Sequence, residues 1–262
     1  MPVSVATYAS LAEAGRAFAD RRTARVYSGG TIVMRAVNEG DTSFDTLIRI
    51  TDRAYTEIAV GSEVRLGGGV TMGAIAAHRD LAFLAPVARV IGGPQVRSVA
   101  TVAGNLFAPA PYGDLAGALM ALGAQAELAG GGRVAVDELV RGGGSRALVA
   151  AVNFPRPQGE LRFAKVSRVR PKGVGLMSIS ALLPRGGGGG DVRIVFNGMG
   201  PHPVRATAAE RALSGRAGDR QAIERAAASA AEGLSPVDDA LASAWYRREV
   251  AGVHLKRLLE AR

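Results

Sequence analysis

The chain has 262 residues, 48% of them hydrophobic, and no cysteine, so it is long enough for two cores while disulfides, thiolate nucleophiles, Cys-ligated zinc and any iron–sulfur cluster of its own are excluded. The net charge is +9, but the basic residues are almost all arginines spread over the whole length and only 5% of residues are aromatic, a pattern of arginine-rich codon usage rather than of a nucleic-acid surface. No apolar run approaches the ~20 residues of a membrane helix and Met1-Pro2-Val3-Ser4 does not open a signal peptide, so a cytoplasmic protein of two domains is expected.

In chain order, residues 10–20 read as a helix, with Ser10 as N-cap and Leu11, Ala14, Ala17 and Phe18 on one side. Residues 25–27 form a short strand that runs through Ser28-Gly29-Gly30-Thr31 into a helix over 32–38. Strands are predicted over 46–50, 57–60 and 63–66, the last closed by Gly67-Gly68-Gly69, after which Thr71 caps a helix to Ala77. Helical stretches follow at 82–90 and 114–122, then strands at 125–129 and 148–154. Beyond Pro155-Arg156-Pro157 the texture changes to strands at 162–167, 174–183 and 192–197, with residues 186–190 as a flexible glycine loop. Helices over 205–213, 220–232 and 238–260 finish the chain. In the last, Tyr246, Val250 and Val253 on one side and Ala251, Leu255 and Leu258 on another predict a wide buried stripe. The predicted class is α+β, divided near residue 160.

Two loops carry candidate chemistry. At Ser28-Gly29-Gly30-Thr31 the glycines remove side chains where backbone N–H groups turn towards one point ahead of a helix. That suits a diphosphate, and it equally suits an ordinary Gly-Gly turn. The second loop is Thr101-Val102-Ala103-Gly104-Asn105, followed by Pro109-Ala110-Pro111-Tyr112-Gly113-Asp114. Its small and hydroxyl or amide residues suit close approach of a ligand. Asp114 is either a helix N-cap or a carboxylate accepting a ribose hydroxyl. The GxGxxG, GxxxxGK(S/T) and GxSxG templates are absent. His78, His202 and His254 are far apart in sequence, which argues against a metal site, and His202 between two prolines reads as part of a turn. No acid–base pair stands out, which fits a flavin, whose redox chemistry resides in its own ring.

Together the loops resemble those of the FAD-binding (medium) subunits of molybdenum hydroxylases, the family of the carbon monoxide and xanthine dehydrogenase types. The family's A-G-G-T is similar to Ser28-Gly29-Gly30-Thr31, and its T-I/V-G-G-N to Thr101–Asn105 with Ala103 in place of a glycine. Its S-P-x-x-D-L is similar to Ala110–Leu115, and residues 92–98 resemble its approach to the second loop. Further on, Phe163-Ala164-Lys165-Val166-Ser167-Arg168 resembles F-x-K-x-x-R. Residues 198–206 resemble G-x-x-x-x-P-x-R-A, with Glu210 beyond, and Ser243-Ala244-Trp245-Tyr246-Arg247 resembles S-x-x-Y-R. The matches run in order along essentially the entire chain.

The resemblance implies an FAD-binding domain over 1–160, in subdomains of about 1–55 and 56–160, followed by an antiparallel sheet with helices over 161–262. It implies that Tyr27, Ser28, Gly29, Gly30, Thr31, Ile32 and Val33, with Ala100, Thr101, Ala103, Gly104 and Asn105, cradle the diphosphate of noncovalent FAD. It implies further that Asp114 takes the ribose, and that Ile91, Leu148, Val149 and Lys165 line the isoalloxazine. No catalytic or metal-ligating residue is expected on this chain. A large partner subunit would carry the molybdenum cofactor and a small one the 2Fe–2S clusters, in a dimer of heterotrimers. This chain would pass electrons from those clusters to an external acceptor. A free-standing FAD oxidoreductase, or a structural subunit that has lost its flavin, are the alternatives. Departures at Ala103, Ala110, Val169 and Gly173 bear on the flavin's surroundings.

Overall fold

A computed structural model describes residues 3–142, 148–169, 174–185 and 191–261. The chain folds as two compact units, Met1–Ala108 with Gly123–Arg156, and Pro109–Leu122 with Pro157–Arg262. The loop predicted at 186–190 and the departure at Gly173 lie outside the described residues.

The first unit has two sheets. Strands β1 (Ser4–Tyr8), β2 (Ala24–Tyr27) and β3 (Thr46–Ile50) are parallel in the order β1-β3-β2. A helix over Leu11–Asp20 joins β1 to β2, and Ser10 Oγ caps it by accepting from Glu13 N. Its Ala14 and Phe18 pack on Ala24, Ile48 and Leu148, as the i, i+4 spacing predicts. Strand β1 escapes a pattern reading because it is an edge strand with Val5 exposed, so no apolar alternation marks it. The second sheet is antiparallel, with β4 (Ile58–Val60), β5 (Glu63–Gly67), β6 (Gln125–Leu128), β7 (Arg133–Ala135) and β8 (Val149–Pro155) in the order β4-β5-β8-β6-β7. Strand β8 is central and buried from Val149 to Phe154, which accounts for its almost unbroken apolar run. Short helices over Met72–Ala77, Ala85–Arg89, Pro94–Arg97, Val102–Leu106 and Val136–Arg141 complete the unit.

In the second unit β9 (Glu160–Ser167), β10 (Gly175–Leu183), β11 (Arg193–Asn197) and β12 (Val204–Arg205) form an antiparallel sheet in the order β12-β11-β10-β9. Helices over Thr207–Leu213, Arg220–Ala228 and Ala244–Glu260 bury a core with Leu176, Ile179, Ile194 and Phe196. The last helix starts at Ala244, not at 238: Asp239 Oδ1 accepts from Leu241 N and Ala242 N, so these residues turn, and Ser243 provides the cap. Its buried face is also narrower than the predicted stripe, since Ala251, Leu255 and Leu258 are buried while Tyr246 and Val253 are 42% and 47% exposed. The helix Asp114–Ala121, buried along its whole length, packs on β10 and β11. It comes close enough that a Cβ on Gly117 would lie 2.5 Å from Asn197 Nδ2. Among the described residues no helix is long and apolar enough to cross a membrane.

Candidate functional site

The first loop leaves β2 at Tyr27 and enters a short helix, Val33–Asn38. Gly30 sits at φ 72°, in the left-handed region, and a Cβ on it would lie 2.9 Å from Tyr27 Cε2. A Cβ on Gly29 would overlap the Val99 carbonyl oxygen, so this glycine lets the loop pass against the segment that leads to the second loop. Met34 N and Ala36 N donate to Gly30 O and Ile32 O. Among the described residues, no acceptor faces the N–H groups of Gly29, Gly30, Thr31, Ile32 and Val33. These five successive donors lie on half-buried or exposed residues. A run of unpaired N–H groups at such a turn is an anion-binding arrangement.

The second loop is built the other way. Thr101 caps the helix Val102–Leu106, its Oγ1 accepting from Gly104 N at 3.2 Å. Val102 N donates to Val70 O at 2.9 Å, Ala103 N to Gly68 O at 2.8 Å and Asn105 N to Thr101 O at 2.9 Å. Ala100 N donates to Val96 O. From Val102 to Asn105 the backbone donors of this loop are therefore engaged inside the protein, while Thr101 N meets no acceptor among the described residues. The Ala103 methyl is 6% exposed and faces Gly68, so the departure from glycine is absorbed by packing. Asn105 is buried, and Gly104 is exposed.

Side chains tie the two loops together. Ser28 Oγ lies 2.7 Å from Thr101 Oγ1 and 3.1 Å from the Tyr55 hydroxyl. Tyr55 is 3% exposed and occupies a slot walled by two glycines: Cβ atoms on Gly68 and Gly69 would each lie 2.6 Å from its ring. Burial pushes its phenol pKa up. The pattern reading passes over Tyr55. Its signal is the run Gly67-Gly68-Gly69, which reads as a strand stop and is in fact the space an aromatic ring needs.

Ile91, Leu148 and Val149 are all buried, at 9%, 5% and 2% exposure, and Leu148 belongs to the core under the first helix.

In the second unit the residue that caps helix Asp114–Ala121 is Gly113, at φ 94°, and not Asp114. The Asp114 carboxylate is 3% exposed and receives a hydrogen bond from Lys165 Nζ at 2.5 Å. The capping alternative is thereby replaced by a buried ion pair. Two residues that the motifs place separately are partners, with β9 carrying Lys165 to the start of the helix. His202 Nδ1 lies 3.0 Å from Pro203 O, within a turn, and Val169 is exposed. Among the described residues no cluster of His, Asp or Glu has the makings of a metal site.

An unpaired row of N–H donors at a glycine turn is an arrangement that can hold an anion such as a nucleotide diphosphate. Residues 1–157 match the family described as FAD binding domain in molybdopterin dehydrogenase, and residues 176–261 match the CO dehydrogenase flavoprotein C-terminal domain. The chain belongs to this family of FAD-binding medium subunits of molybdenum hydroxylases, an oxidoreductase family. Among its relatives is the carbon monoxide dehydrogenase medium chain of Afipia carboxidovorans, 30% identical over 214 residues, covering 76% of this chain and 74% of the relative. The xanthine dehydrogenase FAD-binding subunit of Escherichia coli O157:H7 is 23% identical over 270 residues, covering 96% and 92%. The fold is shared with carbon monoxide dehydrogenase from Hydrogenophaga pseudoflava at TM-score 0.90, with 24% identity and 100% and 97% coverage. It is also shared with quinoline 2-oxidoreductase from Pseudomonas putida 86 at TM-score 0.86, with 24% identity and 99% and 95% coverage. The donor set suits FAD: a diphosphate is an anion, and the row Gly29–Val33 offers N–H groups that the protein itself leaves unpaired.

Proposed function

We propose that this chain is the FAD-carrying electron-transfer subunit of a multi-subunit molybdenum hydroxylase in the cytoplasm. In that role it takes electrons from 2Fe–2S clusters on a small partner subunit and delivers them to an external acceptor. A large partner subunit holding the molybdenum cofactor oxidises the substrate, and the assembly is a dimer of heterotrimers. FAD, when bound, supplies the redox chemistry; this chain's residues bind and orient it.

The observation that carries the reading is the row of unpaired N–H groups from Gly29 to Val33, on a chain whose family binds FAD. In this reading Tyr27–Val33 hold the diphosphate through the backbone. Ala100, Thr101, Ala103, Gly104 and Asn105 complete the cradle, and Asp114 takes the ribose. Ile91, Leu148, Val149 and Lys165 surround the isoalloxazine, and the FAD-binding domain is 1–160. The absence of cysteine from the chain removes any thioether link, which leaves histidine as the alternative to the noncovalent flavin of this reading. Acid precipitation of the purified full chain is expected to release all the yellow chromophore as FAD, one per chain. Chromophore held in the precipitate, or no flavin at all, defeats the reading. Co-purification with molybdenum-bearing and 2Fe–2S-bearing subunits separates it from a free-standing flavoenzyme.

A further inference from the structure

Tyr55, Ser28 and Thr101 bring together three hydroxyls, three protons and two oxygen–oxygen contacts. Each contact uses one proton, so one proton is left to find an acceptor elsewhere. Its place follows from burial. Tyr55 and Thr101 are 3% and 5% exposed and meet no other acceptor for a hydroxyl proton among the described residues, whereas Ser28 is half-buried. Leaving the spare proton on either buried hydroxyl would cost a desolvated, unpaired donor. Thr101 Oγ1 already accepts from Gly104 N, which leaves its own proton to give. The Tyr55 phenol stays protonated at neutral pH, because burial raises its pKa further. Tyr55 and Thr101 therefore both donate to Ser28 Oγ, its accepting capacity is filled, and its own proton points out of the cluster.

Ser28 stands at the head of the row Gly29–Val33, whose N–H groups are unpaired. We infer that the Ser28 hydroxyl is a dedicated sixth donor to the diphosphate, locked into donating by Tyr55 and Thr101. The family motif quoted above has alanine at this place, so the donor is a property of this chain. The inference rests on the FAD reading and adds a specific side chain to it; Tyr55 is a positioning residue that never touches the ligand.

The test titrates full-length apo-protein with FAD and follows apo-protein melting for wild type, Ser28→Ala, Tyr55→Phe and the double variant. Ser28→Ala is expected to weaken FAD binding about three- to tenfold, the range of one neutral hydrogen bond. It also lowers apo-protein stability, by orphaning the Tyr55 and Thr101 hydroxyls. Adding Tyr55→Phe removes the first of these while keeping the ring in its glycine slot. The double variant should regain part of that stability yet bind FAD as weakly as Ser28→Ala. Wild-type affinity in Ser28→Ala, or affinity regained together with stability in the double variant, overturns the inference while the FAD reading stands. Failure of wild-type apo-protein to bind FAD overturns both.

Discussion

The loop after β2 and the loop ahead of helix Val102–Leu106 both run from extended backbone through glycine into a short helix. They differ in where their N–H groups go. Gly29–Val33 leave five donors without a protein acceptor, whereas Val102, Ala103, Gly104 and Asn105 give theirs to Val70, Gly68 and Thr101. The first loop leaves its donors open, and the second spends those from Val102 to Asn105 inside its own unit. Glycine has a different task in each. Gly30 supplies a positive φ and Gly29 allows close passage of Val99, while Gly68, which accepts from Ala103 N, makes room with Gly69 for the Tyr55 ring. A glycine-rich motif thus marks a ligand site only where the donors it exposes remain unpaired.

The sharpest way to break this comparison is Gly30→Val. A β-branched residue at φ 72° carries strain of about 1–3 kcal/mol, and its side chain meets the Tyr27 ring. Flavin absorbance in the purified protein is expected to fall to background while the second unit stays folded by circular dichroism. Full flavin occupancy would make the loop a plain turn.

Asp114, in the second unit, provides a further contrast. Asp114→Ala removes the buried carboxylate that accepts from Lys165 and is expected to cost about 3 kcal/mol in chemical denaturation. Asp114→Asn keeps a neutral acceptor. It is expected to weaken FAD binding on the order of tenfold, through loss of charge assistance, with a smaller loss of stability. Unchanged FAD affinity in both variants would leave Asp114 a purely structural partner of Lys165.

Ala103→Gly restores the residue that the family motif has in the second loop. Because the Ala103 methyl packs inward on Gly68, the expected outcome is unchanged FAD affinity and a loss of about 1 kcal/mol in stability. Tighter FAD binding would show that the second loop's backbone does approach the ligand.

The smallest effect concerns the five-stranded sheet beneath the second loop. The Arg65 guanidinium hydrogen-bonded to Glu127 on β6 holds that carboxyl below its ordinary value of 4.5. A carboxyl with a lowered folded pKa stabilises above its unfolded value and loses that contribution as pH falls through the folded one. Glu127→Gln should flatten the acid limb of melting temperature against pH below about 4.5 and leave neutral-pH flavin affinity alone.

Much of this was legible from residues alone. The helix over Leu11–Asp20, the strand β3 and the cap at Thr71 follow from local spacing and side-chain chemistry, because those signals act within a few residues. The family's motifs carry the α+β class and the FAD-binding family in the same way, since each motif is contiguous. Tertiary structure alone decided the rest. It turned Asp114 from a possible cap into the partner of Lys165, 51 residues away, and placed the Ala103 methyl on Gly68. It also narrowed the buried face of the last helix. The Ser28, Thr101 and Tyr55 hydroxyls meet across separations of 27 and 73 residues. Which of two similar glycine loops keeps its donors unpaired is a count over every acceptor the folded chain brings near, and no local pattern contains that count.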